Sequence, residues 1–256
     1  MINKFNFKLI INYIVIPILI YIGITFFVAV VLDIVFNIDI NPVLTTAIGE
    51  IISLLVLIPL FISAKKNRND TIYKINLRNI LYLIPIGVSL AIFSNFLLEL
   101  INILNNDDAA KYVTESIMSL SPILIILTTV LTVPIVEELV FRGFIYKTLS
   151  NITNKYLAMF ISSLIFGLVH GNLSQGLYAF FVGFILCFVY EELNNLIYPI
   201  FLHAVMNFSS IFIVNYMFKL NDKEKLFVLI ISLFLFIITM YRLIITNKHN
   251  RNEYGL

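Results

Sequence analysis

Residues 133–143 read VPIVEELVFRG and place two glutamates and an arginine inside an apolar run. Glu138 and Arg142 are four apart, so on a helix they share a face, with the acid on the N-terminal side that favours pairing. Glu137 and Arg142 are five apart, about 140° around the helix. Arg142 is therefore expected to form a structural ion pair with Glu138, leaving Glu137 to point elsewhere. A carboxylate without a cation in a partly dry site suits a general base.

Two histidines also lie in apolar segments, His170 in FGLVHGN and His203 in FLHAVMN, while His249 is in the tail. His203 and Asn207 are four apart and share one helical face. Peptide hydrolysis needs a base, a water-orienting imidazole and two donors for a developing oxyanion, and Glu137, His170, His203 and Asn207 make up such a set. Glu137, His170 and His203 could alternatively hold a divalent metal such as zinc, which accepts two histidines and one carboxylate. There is no HExxH pattern, so a standard zincin is excluded. The residues leave a metal-bound and a metal-free mechanism equally open.

These groups sit in a chain built for a bilayer. Hydrophobic residues make up 60% and charged residues 12%, with mean hydropathy +0.98. A water-soluble domain is nearer half apolar and a quarter charged. A net charge of +2 gives no case for nucleic acid, and the single cysteine, Cys187, rules out an intrachain disulfide. The expected fold is all-α: one polytopic transmembrane domain over 1–256, with about eight helices enclosing an intramembrane cavity.

A crossing needs about 20 apolar residues. Eight candidate spans fall near 9–36, 42–64, 80–103, 121–147, 156–170, 175–190, 196–218 and 226–246. Lys and Arg collect at the start, in 65–78, in 147–155 and in the tail, so both termini are expected on the cytoplasmic side of a cell membrane. Lys219, Lys223 and Lys225 are the exception. In the hairpin of the fourth and fifth spans, Glu137 lies 13 residues before Ser150 and His170 lies 15 residues after Lys155. At 1.5 Å per residue both stand roughly 20 Å from the turn, so they can face each other. Pro134, one turn before Glu137, lacks an N–H and can open a backbone carbonyl near the site.

EELVFR with Glu137, Glu138 and Arg142, FGLVH with Phe166 and His170, and HAVMN with His203 and Asn207 resemble the EExxxR, FxxxH and HxxxN motifs of the CPBP intramembrane proteases. That family includes the type II CAAX prenyl endopeptidases and bacterial bacteriocin-processing or self-immunity proteins. The resemblance covers about residues 120–215, which it marks as a catalytic core. It implies that Glu137 and His170 activate water, that His203 and Asn207 stabilise the oxyanion, and that the substrate is a peptide or membrane protein in the bilayer. The alternative within the family is a non-catalytic immunity protein that binds a bacteriocin or its receptor. Glu50 and Glu99, lone acids in the second and third spans, are expected to face the interior or snorkel. Glu191 and Glu192 are expected in a solvated loop, and Phe166 is expected to pack.

Overall fold

The computed structural model describes residues 4–37, 40–68, 70, 74–100, 107–217 and 219–254. Asp39 and the end of the expected third span, 101–103, lie outside the described residues. Helix α1 covers 4–35, α2 Pro42–Arg68, α3 Leu77–Leu100, α4 Asp108–Met118, α5 Pro122–Ile152, α6 Lys155–Leu168, α7 Leu173–Leu193, α8 Ile197–Val214 and α9 Asp222–Tyr254. No strand occurs among the described residues. The chain is an all-α polytopic membrane protein.

Seven of these helices are long and apolar enough to cross a bilayer. Helix α6, the expected fifth span, is shorter, with 14 residues from Lys155 to Leu168. At 1.5 Å per residue it reaches about 21 Å, less than the hydrocarbon thickness. Outer faces are apolar, as lipid requires: Phe26, Leu55, Phe227 and Phe234 are all exposed.

Helix α5 is the central element. It packs on α2, α6 and α8, and its Val136, Val140, Phe141 and Phe144 are fully buried. A second apolar cluster joins Leu83 and Ile86 of α3, Leu186 of α7, Leu202 of α8 and Leu243 of α9. Helices α6 and α7 form a tight hairpin. A Cβ on Gly167 would stand 2.6 Å from the Gly176 carbonyl, so the backbones approach at a contact only glycine permits. The hairpin turns at Gly171, whose φ is +72°, and Asn172 caps α7 by accepting from Gln175 N at 2.9 Å.

Contrary to expectation, neither Glu191 nor Glu192 lies in a solvated loop. Helix α7 runs through Leu193 and ends at Asn194, which takes the left-handed φ of 44°. Glu191 therefore lies in the last helical turn, and Tyr146 donates its hydroxyl to Glu191 Oε2 at 2.7 Å. Glu99 pairs with Lys225 at 2.6 Å and ties α3 to α9.

Candidate active site

Around the two glutamates α5 departs from regular α geometry. Residues Ile126–Thr132 and Leu139–Tyr146 form wide turns with i→i+5 hydrogen bonding, flanking the α-helical Val133–Glu138. Such stretches are uncommon and gather at functional sites. The cause is local. Val133 N–H bonds to Thr128 O, one step out of α register. The donor that would then serve Thr129 O belongs to residue 134, and Pro134 has none. Asn207 of α8 takes that carbonyl, donating Nδ2 to Thr129 O at 2.9 Å.

Glu138 and Arg142 are fully buried and paired, with Arg142 Nη1 2.7 Å from Glu138 Oε1. Arg142 also donates Nη2 to Gly183 O at 3.1 Å, and its guanidinium lies 4.4 Å over the Phe166 ring. Phe166 therefore packs, and what it packs against is the buried cation and both histidine rings. Glu138 Oε1 makes a second contact, 2.8 Å from His203 Nδ1. Glu138 thus holds both Arg142 and His203, a link that spacing along the chain does not reveal.

The other ring nitrogen of His203, Nε2, lies 3.8 Å from Glu137 Oε2. Glu137 Oε1 lies 3.3 Å from the Tyr21 hydroxyl, and the same hydroxyl lies 3.4 Å from Glu50 Oε1. His170 Nδ1 is 2.7 Å from Phe166 O. A carbonyl only accepts, so His170 Nδ1 carries the hydrogen, and in the neutral ring Nε2 is an acceptor.

Glu137, His170, His203 and Asn207 line one cavity of about 580 Å³, together with Tyr21 and Glu50. Its walls also include α3, α4, α7 and α8, through residues such as Leu98, Val113, Ile117, Tyr178 and Ile211. Tyr21 joins the motif residues here, and Glu50, expected to face the interior or snorkel, is buried and faces the cavity. Glu50 carried a signal as a lone acid in a span, whereas Tyr21 carried none. Among the described residues no three of His, Cys, Asp and Glu are grouped to hold a metal ion. His170 Nδ1 is turned to the Phe166 carbonyl and His203 Nδ1 to Glu138, so Nε2 is the ring nitrogen that each histidine presents to the cavity, and no step is derived through a metal.

Residues 119–209 match the profile of the type II CAAX prenyl endopeptidase Rce1-like family. The chain is 40% identical over 86 residues to the protein named "Putative membrane peptidase YdiL" of Bacillus subtilis (strain 168), covering 34% of this chain and 35% of that one. It is 39% identical over 92 residues to the UPF0177 protein YxdF of Lactococcus lactis subsp. lactis (strain IL1403), covering 34% of this chain and 50% of that one. The chain thus matches about a third to a half of the length of these two relatives. No solved structure gives a significant match. The matched segment contains all three motifs, so the likeness to the Rce1-like, type II CAAX prenyl endopeptidase family spans Glu137, Glu138, Arg142, His170, His203 and Asn207.

Proposed function

We propose that the protein is an intramembrane endopeptidase that hydrolyses a peptide bond in a membrane-associated peptide or protein. The observation that carries this reading is the convergence of Glu137, His170, His203 and Asn207 on one cavity walled by membrane-spanning helices. Glu137 is the base: it takes a proton from water as the water oxygen attacks the scissile carbonyl carbon. His170 orients that water through Nε2, since Nδ1 is committed to the Phe166 carbonyl. Negative charge then develops on the carbonyl oxygen. Asn207 keeps one amide hydrogen for it, the other being given to Thr129 O.

His203 is the second donor. Glu138 holds its Nδ1 and aims Nε2 at the cavity. Arg142 and His203 thus stand opposite Glu137 and Glu138 in one cluster. When the tetrahedral intermediate collapses, the C–N bond breaks and Glu137 returns its proton to the departing amine. Both termini lie on the cytoplasmic side in this reading, supported by the Lys and Arg in the short loops.

The test is reconstitution in liposomes with membrane-associated peptides of varied sequence. Glu137→Gln abolishes cleavage while the protein still inserts and elutes as a folded species. Full activity in that variant overturns the mechanism.

A further inference from the structure

Glu50, Tyr21 and Glu137 come from three different helices and meet at one hydroxyl. Tyr21 of α1 stands between Glu50 of α2 and Glu137 of α5, at 3.4 and 3.3 Å. The meeting is built in. A Cβ on Gly49 would stand 2.7 Å from Thr25 Cα, so only glycine lets α1 and α2 approach here, one turn from Tyr21. Thr25 Oγ1 donates to Tyr21 O at 2.6 Å across that turn.

The contacts demand a count of hydrogens. A tyrosine hydroxyl has one, and it can donate to only one carboxylate. Both contacts are hydrogen bonds only if one carboxyl group brings a proton of its own. Glu50 is 1% exposed, and its Oε2 is buried without a partner among the described residues. Among the described residues no Lys or Arg lines the cavity, and its other titratable walls are Tyr112, His170, Tyr178 and His203, of which His203 faces Glu137. An unpaired charge in such a place is costly, whereas a neutral carboxyl is tolerated. Glu137 has His203 Nε2 at 3.8 Å and can hold the charge.

Resting on the endopeptidase reading, we propose that Glu50 is a positioning residue for Glu137. It carries a proton, donates it in a hydrogen bond to Tyr21 Oη, and so directs the Tyr21 hydrogen to the Glu137 carboxylate. The chain fixes the rotamer of the base and leaves Glu137 Oε2 free for water. The proton on Glu50 stays there through the reaction.

The experiment uses the full chain in liposomes and a membrane-associated peptide that wild type cleaves. Tyr21→Phe and Glu50→Ala each lower kcat roughly 10-fold or more, with KM little changed, because a misplaced base affects the chemical step. Glu50→Gln restores most of the loss, since its amide N–H replaces the carboxyl O–H as donor to Tyr21. The double variant Tyr21→Phe with Glu50→Ala falls no further than either single one. A Glu50→Gln protein that folds yet is as impaired as Glu50→Ala overturns the proposal, as does additive loss in the double variant. If wild type itself cleaves no peptide, the endopeptidase reading falls first and this one with it.

Discussion

Glu138 and His203 are 65 residues apart and are joined at one atom: His203 Nδ1 lies 2.8 Å from Glu138 Oε1, the same oxygen that Arg142 Nη1 reaches at 2.7 Å. Both partners of the ion pair are fully buried. Arg142→Met removes the cation and leaves Glu138 with a buried charge. Breaking a buried pair by removing one partner costs about 3–5 kcal/mol. The expected outcome is a lower melting temperature in detergent and loss of cleavage. Wild-type melting would show that the pair does not hold α5 in place.

The Asn207 amide is anchored on the Thr129 carbonyl that Pro134 leaves open. Asn207→Ala loses both the anchor and the oxyanion donor, and kcat is expected to fall about 10²–10³-fold. Pro134→Ala restores a backbone donor that competes for the carbonyls of this turn. It is expected to lower kcat about 10-fold without loss of stability, since it removes a helix interruption. Steady-state kinetics in liposomes read both, and an unchanged Pro134→Ala enzyme would separate the proline from the site.

Gly167 precedes His170 by three residues at the closest crossing of α6 and α7. An alanine Cβ there meets backbone at 2.6 Å, which no side-chain rotation relieves. Gly167→Ala is expected to cost about 1–3 kcal/mol and to displace His170. Gly23→Ala is the control, because a Cβ there meets nothing within 4 Å. Thermal unfolding of the two variants side by side decides it; equal melting would contradict the close crossing.

Asp107 lies outside the spans and caps two helices at once. It accepts from Ser174 N of α7 at 2.8 Å and from Ala110 N of α4 at 3.0 Å. These backbone donors, Ser174 first, hold its carboxyl below the ordinary aspartate range. A depressed folded value means stability that is present above the unfolded pKa of about 3.9 and lost as pH falls through the folded value. Melting temperature is therefore expected to drop on the acid side, and Asp107→Asn to lose that part of the slope. An acid profile identical in the variant would assign the slope to other carboxyls.

Some relationships depend only on distance along one helix. Glu138 with Arg142, and His203 with Asn207, share faces because residues four apart do so on any helix. The helical, membrane-spanning class follows from an apolar excess that no soluble surface could cover. Boundaries are less legible: α7 outlasts its apolar run because Asn194 can take the left-handed cap, and this brings Glu191 into a helix beside Tyr146.

Contacts between helices are another matter. Glu50 could be noticed as a costly acid, but its link to Glu137 needs Tyr21 from a third helix and the close approach that Gly49 allows. The hold of Glu138 on His203 likewise depends on how α8 lies against α5. By itself, then, the sequence determined the class of fold, the motif residues and their faces, since helical periodicity and hydropathy are local quantities. Only the tertiary structure decided which faces meet, because that is set by packing among helices with no fixed relation along the chain.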